Sequence, residues 1–157
     1  MSDEEIRHFR RRLRTLQRDL GWQWKNDASC CGIAVSECHA LLEVAESEGM
    51  SLAELAAVLG LDASAVSRTV DGMVQAGLVT RTANPQDRRY VRISLTPHGR
   101  SVYENIDRTF NHYFAEVLSL VPEEKRHQVV EGFALLVDAI HKSHSRGDPR
   151  EGPGHDG

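Results

Sequence analysis

The sequence predicts a mainly α-helical fold carrying one small β-hairpin, and three observations predict it. Residues 51 to 76 hold two short helical patterns separated by Gly60. Residues 78 to 95 hold two short strand-like runs separated by a polar, charged turn. Longer apolar patterns with steps of three and four residues lie on either side. Helix, turn, helix, strand, charged turn, strand is the order of a winged helix-turn-helix. That architecture sets one helix in a DNA groove and a basic hairpin beside it.

Each element has its own signal. Ser2 and Glu5 have capping-box spacing, so a helix starts at Asp3. Its apolar face is Ile6, Phe9, Leu13, Leu16 and Leu20, and Arg7, Arg11, Arg14 and Arg18 line the opposite face. Residues Gly21 to Gly32 break the period and hold Trp22 and Trp24, read as packing residues and, if an organic effector exists, its first contacts. A second helix runs from about Val35 to Glu48, burying Leu41, Leu42 and Ala45, and Gly49 ends it. Ser51 and Glu54 open a short helix through Leu59. Asp62 caps the next, which runs to Ala76 and closes at Gly77. On that helix Val66, Val70, Met73 and Val74 face inward, and Ser64, Ser67, Arg68 and Asp71 face outward. A groove-entering helix needs such short polar side chains with one long donor.

Leu78–Thr82 and Tyr90–Leu95 read as strands; Val91, Ile93 and Leu95 alternate with Arg92 and Ser94. Asn84 and Pro85 punctuate the turn between them. Thr96 and Pro97 open a long helix to about Leu120. Pro122 opens the last helix, with Val129, Val130, Phe133, Leu136, Val137 and Ile140 apolar. From Ser143 onward the chain is rich in Gly, Pro, His and charge, the composition of a disordered tail.

With 157 residues, 40% apolar and 27% charged, a single soluble globular domain is expected. No apolar run approaches the roughly 20 residues of a membrane span. The opening MSDEEIRHFRRRLR lacks an apolar core, so no secretory leader is expected and the location is read as cytoplasmic. The net charge of −4 is unevenly spread. Between Asn26 and Ser67 there are seven carboxylates and no Lys or Arg; between Val79 and Arg100 there are five Arg and one Asp. A basic segment on an acidic body suits local phosphate contact, although a solvated hairpin has the same composition.

At these residues the chain resembles the multiple-antibiotic-resistance regulator (MarR) family of bacterial transcription factors. The matching motifs are LAELAAVLGLDASAVSRTVDGMVQAGLVTR and NPQDRRYVRISLTPHG, with the D-x-R run of the wing and the LT-x-x-G that follows. The resemblance covers residues 36–100 by motif and the flanking helices by their order. It implies a winged-helix homodimer that binds double-stranded DNA at a pseudo-palindromic operator, usually as a repressor released by an effector. It divides the chain into dimerisation helices (1–25 and 97–143), a winged-helix region (35–96), a Cys-containing loop (26–34) and a tail (144–157). It sets Ser64, Ser67, Arg68 and Asp71 toward the major groove and Arg88 at the wing tip, toward the minor groove. It makes Asp87 a brace of the wing through an arginine, and Arg81 and Arg89 phosphate contacts.

The segment DASCCGIAVSECHALLEV departs from the family pattern, in which an apolar cleft near the dimer interface takes aromatic ligands. Cys30, Cys31 and Cys38 lie within nine residues, with His39 beside the last. Thiolates select soft metals and metalloids. Three sulfurs suit arsenite, and three sulfurs with His39 suit tetrahedral zinc. An iron–sulfur cluster would need a fourth ligand. Direct sensing of oxidants or electrophiles is the thiol-based alternative, and a small buried hydrophobe is the plainest role for Cys38. An odd cysteine count with an adjacent pair argues against a disulfide framework. An enzyme using these thiols is a remote alternative, because the sequence holds no CxxC pair, phosphate loop or paired carboxylates. An architectural DNA-binding protein with no effector is another.

Overall fold

The computed structural model describes residues 1–30, 32–83 and 91–146. They form two compact units, the first ending at Phe110 and the second beginning at Asn111. In chain order the elements are α1 (Asp3–Cys30), α2 (Val35–Glu46), β1 (Met50–Ser51), α3 (Leu52–Leu59), α4 (Ala63–Gln75), β2 (Val79–Ala83), β3 (Val91–Leu95), α5 (Pro97–Ser119) and α6 (Glu123–Arg146).

The helix starts form as their caps dictate. At α1, Ser2 Oγ accepts from the Glu5 amide at 3.2 Å and Glu5 Oε2 accepts from the Ser2 amide at 2.6 Å. Ser51 and Glu54 repeat this reciprocal pair at α3, at 3.2 and 2.7 Å. Asp62 Oδ1 accepts from the Ala65 amide at 2.8 Å and opens α4. Such a cap is worth about 1 kcal/mol against Ala.

The core of the first unit gathers around α2 and α4. Cys38, Leu41 and Val44 of α2 meet Leu55 of α3, Val66, Val70 and Met73 of α4, Leu78 of the turn that follows, Val79 and Ile93 of the sheet, and Ile106 of α5, all essentially fully buried. The sheet has the antiparallel order β1-β3-β2, with Met50 opposite Ile93 and Arg81 opposite Ile93 on the other side. In the second unit, Arg126 of α6 closes the chain end of α5 by donating to the carbonyls of Val121 (3.1 Å) and Ser119 (3.2 Å).

The LT-x-x-G motif acquires a physical meaning at the start of α5. Thr96 Oγ1 accepts from the Gly99 amide at 2.9 Å and donates to the Gly77 carbonyl at 2.6 Å. The Thr96 amide donates to the Leu78 carbonyl at 3.0 Å. Gly99 is buried here, and a Cβ on it would lie 1.9 Å from the Leu78 carbonyl oxygen. Thr96 therefore ties α5 to the turn that ends α4, and only glycine permits the approach.

Several expectations change. The first helix does not break at Gly21 but runs to Cys30, so the expected 26–34 loop is helical over its first part. One interior glycine costs only about 1 kcal/mol. Trp24, four residues after Leu20, continues the apolar stripe, whereas Trp22 falls off it and is 67% exposed. In α2 Leu41 is buried as expected, together with Cys38, Ala40 and Val44, while Leu42 and Ala45 are half-buried, and the helix ends at Glu46 rather than Glu48. Val74 of α4 is 40% exposed, because Val66, Val70 and Met73 already fill the inward stripe. A third strand, β1, joins the hairpin; two residues are too short for a periodic signal. Strand β2 is shifted one residue, to Val79–Ala83. Helix α6 continues to Arg146, past the expected tail boundary. The turn from Asn84 to Tyr90 and the tail from Gly147 lie outside the described residues.

Replacing Gly99 with Ala forces a Cβ into backbone, not into a movable side chain. We expect destabilisation by at least about 1–3 kcal/mol, read as a lowered denaturation midpoint in urea. An unchanged midpoint would mean that α5 can lift off Leu78 at no cost.

Candidate nucleic-acid interface

Helix α4 carries a fully buried stripe on one side, which fixes what the other side presents. Ser64 and Arg68 are exposed at its first turns; Ser67 is half-buried. Ser64 Oγ donates to Asp62 Oδ1 at 2.5 Å. Its one hydrogen is thereby committed to the cap, and Ser64 offers acceptor lone pairs outward. That bond, together with the Ala65 amide, holds the Asp62 carboxyl below its usual range. Arg68 is the long donor of the exposed face.

Asp71 and Arg81 were both expected to face DNA. The structure pairs them: Arg81 Nη1 donates to Asp71 Oδ1 at 2.6 Å, and Nη2 donates to the Ser67 carbonyl at 3.3 Å. The guanidinium of β2 is thus clamped onto the outer face of α4. Asp71 lies ten residues before its arginine, and nothing in the helical or strand periodicity marks this pair. Asp87, Arg88 and Arg89 lie outside the described residues. A second cross-link that sequence reasoning missed joins Arg100 of α5 to Glu48, just before β1.

The thiol candidates separate in their surroundings. Cys38 sits one turn into α2 and is fully buried in the core. Cys30 is the last residue of α1; its side chain, and all of Cys31, lie outside the described residues. His39 stacks on Trp24 with ring centroids 4.2 Å apart, and Trp24 also packs against Phe110 at 4.4 Å. Among the described residues no three His, Cys, Asp or Glu side chains gather around a common point, and no helix is long and apolar enough to cross a membrane.

A buried-stripe helix with a polar outer face, clamped to a small antiparallel sheet, defines a winged helix-turn-helix protein. A family model described as MarR family matches residues 32–89. The HTH-type transcriptional regulator BilQ of Clostridium symbiosum (strain WAL-14163) is 29% identical over 105 residues, spanning 67% of this chain and 71% of that protein. A MarR family protein from Bacillus stearothermophilus superposes with a TM-score of 0.77 at 21% identity, over 92% of this chain and 99% of that one. Streptococcus pneumoniae FabT, whose structure is in complex with DNA, gives 0.77 at 16% identity, over 87% and 98%. Residues 32–89 thus match the MarR family, and the chain shares the winged-helix fold of MarR-family proteins.

The Asp71–Arg81 pair is exposed, so Asp71→Ala should cost less than about 1 kcal/mol of stability while accelerating amide exchange in β2. Unaltered exchange would show that the sheet needs no clamp. Burial lowers the His39 pKa from 6.5. A base depressed in the folded state binds fewer protons there than in the unfolded chain. Its contribution is therefore intact above 6.5 and is lost as pH falls through that value toward the folded pKa. Between about pH 7 and 5 the wild type should lose more stability than His39→Phe, which keeps a ring on Trp24 but cannot titrate. Parallel losses would remove His39 from the pH response.

Proposed function

We propose that this protein is a sequence-specific DNA-binding repressor that acts as a homodimer on a pseudo-palindromic operator. The observation that carries this is the outer face of α4. It is held at its N-terminus by Asp62 and on its flank by the Arg81 clamp, and it leaves Ser64 and Arg68 free to meet base edges. Arg68, with Arg88 at the wing, supplies the donors for guanine edges and for a narrow minor groove. Arg89 adds a phosphate contact, and Arg81 acts by position, with Asp71 as its anchor. FabT, which shares the fold, is seen on DNA.

Dimerisation is supported by apolar surface that one chain leaves uncovered. Ile6, Phe9 and Leu16 of α1 are 38 to 46% exposed, and Val129, Val130 and Phe133 of α6 are 47 to 55% exposed. A dimer sets two α4 helices about one helical turn of DNA apart, roughly 34–36 Å. Selection from a random duplex library should enrich an inverted repeat. Arg68→Ala should then lose about 1–3 kcal/mol of discrimination at one base pair of each half-site. Enrichment of no sequence would reject the reading.

The finer part of the proposal is control by the thiols. Cys30 ends α1 and Cys38 enters α2, so a soft metal or metalloid held by Cys30, Cys31 and Cys38, with His39 as a further donor, would act between the dimerisation helix and the DNA-binding region. Arsenite and zinc suit three thiolates. Changing the α1–α2 junction would alter the spacing of the two α4 helices and release the operator. The burial of Cys38 favours a second reading, in which Cys38 packs the core and an oxidant or electrophile acts on the remaining pair. Metal, iron and sulfide content of anaerobically purified protein, against the triple Cys-to-Ser variant, separates the two. Bound metal or cluster lost in the variant supports the first. Empty protein whose operator binding falls after peroxide treatment supports the second. A triple variant that responds like wild type rejects thiol control.

A further inference from the structure

Helix α1 has two opposed faces, and only the apolar one has a role in the reading above. At about 100° per residue, Arg7, Arg11, Arg14 and Arg18 share one side of the helix, away from Phe9, Leu13 and Leu16, and Arg10 lies between that side and Ile6. All five arginines are exposed. Arg7, Arg10, Arg11 and Arg14 converge on one shallow hollow of about 190 Å³. Among the described residues no carboxylate pairs with any of these four; Asp3 and Glu4, one turn earlier, make no ion pair with Arg7, and Asp19 pairs with Arg18 at 3.4 Å. Like charges at three- and four-residue steps disfavour a helix by about 0.2–0.5 kcal/mol each. A chain with net charge −4 therefore concentrates unpaired guanidinium groups on one line, at a cost to the helix. An external polyanion would offset it.

We propose that this arginine face is a second DNA-backbone contact surface, separate from α4 and the wing. It rests on the reading of the protein as a DNA-binding dimer. When a partner chain covers the apolar face of α1, the arginine face, on the far side of the helix, stays open. From Arg7 to Arg18 it extends about 16 Å along the helix axis. That is the rise of four to five phosphates of one strand. Guanidinium forks match phosphate oxygens without reading sequence, so the surface strengthens binding to any duplex and leaves operator choice to α4.

The test is the salt dependence of binding of the full-length protein to a mixed-sequence duplex of about 40 bp, roughly four helical turns. Affinity is read from about 50 to 200 mM salt for wild type, for Arg7→Gln/Arg10→Gln/Arg11→Gln/Arg14→Gln, and for the same four positions changed to Lys. With four phosphate contacts per subunit, the Gln variant should show a log–log slope shallower by about 3.6 per subunit. The Lys variant should keep most of the wild-type slope. The Gln variant should still prefer the selected operator over other sequences by the wild-type ratio. A Gln variant with an unchanged slope overturns the proposal and leaves the face to an acidic protein partner. A Lys variant that falls as far as the Gln variant also overturns it, because charge is then not what the duplex reads. Wild type that binds no duplex at all fails the DNA-binding reading itself, a different result from a wild-type slope retained in the Gln variant.

Discussion

At the junction of α4, β2 and α5, the carbonyl of Leu78 occupies the place where a side chain of residue 99 would begin. Thr96 secures that approach from both sides, capping Gly99 and donating to Gly77. The consequences spread outward. With α5 held over the end of α4, Ile106 reaches the same core as Met73 and Leu78. Strand β3 leads directly into α5, so the sheet is held at its other end too. A close backbone approach tolerates no additional atom, and this gives the winged helix a fixed reference point for the exposed face of α4.

Two kinds of contact then orient the exposed surface. Burial of Val66, Val70 and Met73 decides which way α4 is rotated. The Asp71–Arg81–Ser67 clamp decides how the base of the hairpin lies against it. The first is worth several kcal/mol of apolar burial; the second, being exposed, is worth little in stability and acts through geometry. The core supplies the stability, and a solvent-facing ion pair sets position.

Helix α1 shows the same separation on a single element. Its apolar stripe extends through Leu20 to Trp24, which packs against His39 and Phe110. Its opposite side is a line of arginines. The cysteines follow in sequence, Cys30 at its last residue and Cys38 one turn into α2.

The sequence by itself determined the elements and most of their ends, because caps and periodicities are local. Ser2 with Glu5, Ser51 with Glu54, Asp62, and Thr96 with Pro97 each act within one turn, and the inward residues Val66, Val70 and Met73 follow from a repeat of 3.6. The family motif is legible for the same reason. Tertiary structure alone decided the rest. Gly21 was overridden because Trp24 has packing partners on α2 and α5. Strand β1 exists because β3 offers it an edge. Cys38 belongs to the core because α2 turns it inward, and no spacing between cysteines encodes that. Asp71 and Arg81 became a pair because the turn after α4 folds β2 back over the helix, and charges that meet across such a fold leave no periodic trace in the chain.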